Sequence, residues 1–76
     1  MITFEEFITD VYNAINHRLL AWRRGQACFN FIESKYHVGR IVQFDRHVDC
    51  FCNDELIDEF VETAWKEVEK LNNKLI

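Results

Sequence analysis

Hydrophobic positions form two regular stripes with a denser, less regular stretch between them. Near the start, Phe4, Phe7, Ile8, Val11, Tyr12 and Ile15 recur at spacings of three and four. Glu5, Glu6, Thr9, Asp10, Asn13 and Asn16 take the other side. That period predicts an amphipathic helix from residue 4 to about 15. Thr3 with Glu6 matches a capping box, in which each side chain satisfies an orphan backbone N–H near the helix start. Ile2 can then pack on Phe7 as a hydrophobic staple. Towards the end, Leu56, Ile57, Phe60, Val61, Ala64, Trp65, Val68, Leu71 and Leu75 form a second stripe. Asn53 stands before it as an N-cap. Asp54, Glu55, Asp58 and Glu59 crowd its first turns and Lys70 and Lys74 its last, the order the helix dipole favours. Glu62 and Lys66 add an i,i+4 pair.

The middle is built around Trp22–Ile32, the densest run of large apolar residues. It also carries a file of polar ones: Arg23, Gln26, Asn30 and Glu33. The pattern predicts a second helix from about 20 to 37, with Leu20, Trp22, Ala27, Cys28, Phe29, Phe31, Ile32 and Tyr36 burying most of its girth, so that it sits between its neighbours. Gly25 costs about 1 kcal/mol relative to Ala in a helix interior. Its expected use is to let another backbone come close or to ease the first turns. A turn is expected around 16–19. A single helix over 4–37 would span about 50 Å, with no partner long enough to cover it. Residues 38–53 read in two ways. One is a helical turn at 38–43 followed by an extended segment; the other is a hairpin turning at Asp45-Arg46-His47, which the β-branched residues favour but which would be marginal alone.

Composition agrees with helices. The chain has 76 residues, 49% of them apolar and 14% aromatic, with two Gly and no Pro. One small domain with a rich core over residues 1–76 is expected, all-α, with three main helices and a short extra helical turn before the last. No apolar run reaches the about 20 residues that span a bilayer, and no signal-peptide pattern opens the chain. Three Cys in such a chain imply reduced thiols and a cytoplasmic location. The net charge of −4 argues against a nucleic-acid partner, whose phosphates usually demand a basic domain.

Four groups of residues are candidate sites. His47, Cys50 and Cys52, with His37 or Cys28, carry metal-binding chemistry. Their spacing is not that of a zinc site, which pairs cysteines two to four residues apart. The plainer reading has Cys50 and Cys52 pointing together into the core. Asp49, Asp54, Glu55, Asp58 and Glu59 form an acidic patch of the kind helix starts favour, without a calcium loop. Arg18, Arg23, Arg24 and Arg40 around Trp22 suggest contact with nucleic acid by charge and stacking. The last group is the polar file. Arg23, Gln26 and Asn30 read as an ordinary exposed stripe on an otherwise buried helix, as partners that hydrogen-bond the irregular backbone around Asp49–Asp54, or as a recognition stripe. The backbone role is the one expected. No nucleophile elbow, phosphate-cradling loop or catalytic triad is present, so no catalysis and no cofactor is expected.

Arg23-Arg24-Gly25-Gln26-Ala27-Cys28-Phe29-Asn30 fits an Arg-x-Gly-Gln-x-x-Phe-Asn pattern. It is followed by Asp49-Cys50-Phe51-Cys52-Asn53-Asp54 and by Ile57-Asp58-Glu59-Phe60. In these motifs, over roughly residues 22–61, the chain resembles a group of short uncharacterised proteins of phages, prophages and bacterial genomes. The resemblance implies a helical core, a helical turn before the Asp-x-Phe stretch and a terminal helix. It implies no activity. Relatives often have Pro and Tyr where this chain has Cys50 and Cys52, so the Cys pair is not part of the pattern. Together these readings lead to a small non-catalytic protein that contacts a protein partner or a second copy of itself, with the acidic patch and exposed aromatic residues as the expected contact surface. A nucleic-acid module is the alternative.

Overall fold

The computed structural model describes residues 2–74. Three helices make the fold: α1 over Phe4–Asn16, α2 over Arg24–Tyr36 and α3 over Ile57–Lys74. Each pair of them is in contact. Leu75, the end of the second expected stripe, lies outside the described residues.

Helix α1 starts as its sequence dictates. The Thr3 hydroxyl accepts from the Glu6 N–H at 3.2 Å, and the Glu6 carboxylate accepts from the Thr3 N–H at 3.3 Å. Its inward stripe of Phe7, Val11 and Ile15 is fully buried. Phe7 packs edge-on against Tyr36 of α2, with ring centroids 5.0 Å apart, and against Trp65 of α3 at 5.4 Å. Ile32, Phe60, Ala64 and Val68 complete the centre of the core.

Helix α2 is central: every residue from Gly25 to Glu33 is buried or half-buried. It is shorter than the periodicity predicts. The expected turn at 16–19 widens to residues 17–23, so Leu20 and Trp22 precede the helix. The apolar period runs on through this turn because Leu19, Leu20 and the half-buried Trp22 fall there, which periodicity alone cannot tell from helical positions. Helix α2 ends at His37, which takes a left-handed conformation (φ 61°) and donates its N–H to the Ile32 and Glu33 carbonyls. Such a terminus usually falls to Gly.

Residues 39–45 are helical, ending in a wide turn over Ile41–Asp45 in which Arg46 N–H reaches back five residues to the Ile41 carbonyl. Glu33, from the polar file, caps it by accepting from Arg40 N–H at 2.9 Å. Of the two readings of 38–53, the helical turn with an extended segment is the one observed. No strand occurs among the described residues. His47, at φ 60°, reverses the chain so that Val48 returns to the core. A short 3-10 turn over Asp54–Leu56, capped by Asn53, leads directly into α3.

Candidate functional site

Two features stand out once the helices are in place: a polar seam at the start of α2 and an open groove beside it.

The seam joins α2 to the segment 49–54. Arg23, at the N-cap position, supplies no capping bond. The first turn of α2 is satisfied from elsewhere: Asp54 accepts from Gly25 N–H at 2.9 Å. The Arg23 guanidinium donates to the Phe51 carbonyl at 3.1 Å, and the Cys50 thiol donates to the Gly25 carbonyl at 3.3 Å. Asp49 folds the segment on itself by accepting from Phe51 N–H at 2.9 Å. Gly25 permits the approach, since a Cβ there would collide with the Cys50 carbonyl oxygen. The Phe51 ring then stands edge-on to Phe29, at 5.7 Å and 90°.

Of the polar residues singled out from the sequence, Arg23, Asp49 and Asp54 meet at this seam. Gln26 and Asn30 are half-buried and carry no side-chain hydrogen bond to residues 45–53. The expectation that those two amides hold the segment is therefore corrected: a guanidinium, a backbone N–H and a thiol hold it. Arginine reach and glycine backbone donors leave no periodic trace, which is why the file pointed to the amides.

The cysteines divide. Cys28 and Cys50 are buried and Cys52 is exposed, so Cys50 and Cys52 do not point the same way. The thiol hydrogen bond with Cys50 and then burial push the Cys28 thiol far above its ordinary range, leaving it neutral. His47, Cys50 and Cys52 do not converge. Among the described residues, no group of three or more His, Cys, Asp or Glu side chains is placed to share an ion.

Acidic residues at the start of α3 border a cleft of about 290 Å³ lined by Tyr12, Arg24, Asp54, Glu55, Ile57 and Asp58. Tyr12 donates to Asp58 at 2.7 Å. Burial and this carboxylate push the phenol up to about 12. It has no reason to ionise near neutrality.

On the other side of α2 lies a larger groove of about 470 Å³. Ala14, Leu19, Trp22, Ala27 and Phe31 form its apolar walls, and His17, Arg18, Asn30 and Ser34 its polar ones. The turn that borders it is braced. Leu19 accepts from Trp22 N–H at 3.0 Å. Arg18 donates to the Ile15 carbonyl at 2.9 Å and to the Trp22 carbonyl at 3.1 Å, tying the end of α1 to the end of the turn. Leu19 and Leu20 are thereby held outward, 63% and 104% exposed. Periodicity had assigned Leu20 to a buried helix face, so the groove was invisible in the sequence.

In comparisons with known proteins, no family model, no curated protein and no solved structure matches this chain. No helix among the described residues is long and apolar enough to cross a membrane.

Proposed function

We propose that this chain is a small non-catalytic interaction protein of the cytoplasm, of the kind phages and prophages carry, which binds a protein partner through the groove between α1 and α2. The observation that carries this reading is the pair of leucines held outward on a braced turn beside an apolar groove. Single exposed leucines are ordinary on a protein surface. Leu19 lines the groove with Trp22 and Phe31, and the fully exposed Leu20 follows it directly in the chain, an apolar patch of the kind that marks interaction sites. Aromatic anchors beside a recess are also where binding energy concentrates.

The alternative, a nucleic-acid module at the same arginines, draws less support. The chain is acidic overall, at −4, and its arginines do not gather around Trp22: Arg18 lines the groove, Arg23 donates into the seam and Arg24 borders the acidic cleft.

The test is retention of partners from host lysate by the wild-type chain and by Leu20→Asp. Leu20 is fully exposed, so the variant keeps its fold. A protein retained by wild type and released by the variant supports the reading. Equal retention by both, or none by either, refutes it.

A further inference from the structure

The groove's electrostatics say which kind of partner it fits. No Asp or Glu occurs between Asp10 and Glu33, while His17, Arg18, Arg23 and Arg24 all fall in that interval, in a chain of net charge −4. The two acids that bound the interval are already engaged. Asp10 pairs with Lys35 at 2.6 Å, and Glu33 accepts from Arg40 N–H. The groove is thus lined by one guanidinium, one imidazole, one amide and one hydroxyl, with no carboxylate. The rest of the chain carries all of its acids. We infer that the groove takes a short acidic segment of a partner protein that presents a bulky apolar side chain, and this inference rests on the interaction reading above.

Two physical terms select such an occupant. An apolar anchor seated against Trp22, Phe31 and Ala14, under Leu19, leaves water together with the walls that face it. Carboxylates flanking that anchor face the charge of Arg18 and the ring of His17, whereas the acidic faces of α1 and α3 repel them. Like charges across an interface are costly and opposite charges fix register and speed encounter. A basic segment with the same anchor is therefore drawn to α3 rather than to the groove. An amphipathic helix with anchors at i, i+3 or i+4 and i+7 satisfies the demand.

The experiment uses two synthetic helical peptides with the same Leu and Phe anchors, one with Glu and one with Lys at every other position. Each is titrated into the full chain and followed by amide chemical shifts. Vesicles of anionic lipid and a single-stranded oligonucleotide serve as further probes. The expected result is binding of the Glu peptide, with shifts centred on residues 14–22, Asn30 and Ser34. Binding should weaken about ten-fold or more in Leu20→Asp, which places a like charge at the rim. Stronger binding of the Lys peptide, shifts on α3 instead, no binding of either peptide, or binding only of vesicles or oligonucleotide overturns the inference. If a lysate partner is lost in Leu20→Asp while the Glu peptide fails to bind, the acidic assignment falls and the interaction reading stands.

Discussion

At the scale of single residues, the chain turns on Gly25 and Asp54. A helix begins with backbone donors that need acceptors, and α2 has no local cap to supply one. Asp54 supplies it across the fold, and its charge also suits the positive end of the helix. Asp54→Ala should lower stability by about 1–2 kcal/mol, the range for losing an N-cap, and Asp54→Asn should recover most of that loss. Urea unfolding of the three proteins measures it. Gly25→Ala should cost more, about 3 kcal/mol, at the upper end of overpacking penalties. The added methyl meets the Cys50 carbonyl and stands 2.9 Å from an Asp54 oxygen, and backbone cannot swing aside as a side chain can. A midpoint for Gly25→Ala equal to wild type would show that the seam is not tight.

At the scale of elements, legibility follows how locally each is determined. Helices α1 and α3 were readable because their caps, stripes and charge order lie within their own residues: Thr3 with Glu6, Asn53 ahead of Asp54, and the periods that bury Phe7 and Phe60. The end of α2 was readable to within a residue. Its start was not, because Asp54 and Cys50 define it, 29 and 25 residues further along. The groove was hidden for the same reason. Whether Leu20 lies on a helix or on a turn depends on the Arg18 brace, which a periodic pattern cannot register. The need to satisfy irregular backbone around 49–54 was legible, but it pointed to the amides Gln26 and Asn30, whereas Arg23 and Asp54 meet it.

At the scale of the molecule, charge pairs that bind the elements together set a working range of pH. Arg46 donates to the nearly buried Glu67 carboxylate at 3.0 and 2.9 Å, and Lys70 stands 3.5 Å away. Burial pushes Glu67 up, but the Arg46 hydrogen bonds and the Lys70 charge outweigh it and hold the carboxyl below its ordinary 4.5. The Lys35 hydrogen bond likewise holds Asp10 below 3.8. A carboxyl depressed by folding stabilises the native state above its unfolded value and loses that contribution as pH falls through the folded one. The phenol of Tyr12, raised to about 12, contributes below its ordinary 10 and loses that as pH rises. The buried Cys28 thiol, raised from its ordinary 9.0, acts in the same direction and sooner, so stability should hold between about pH 5 and 9 and fall outside those limits. Arg46→Met should flatten the acid limb by leaving Glu67 less depressed, which melting temperatures across pH will reveal; an unchanged acid limb would dismiss the pair. The seam also has a consequence for how the chain is made. Helix α1 holds its own cap from the moment Glu6 leaves the ribosome, but the first turn of α2 must wait for Asp54. At about 5–20 residues per second, the 29 residues between Gly25 and Asp54 amount to a wait of about 1.5–6 s. For that interval Cys28 and Ile32, destined for the deepest core, belong to a helix whose beginning has no partner, and nascent-chain chaperones have that long to find it.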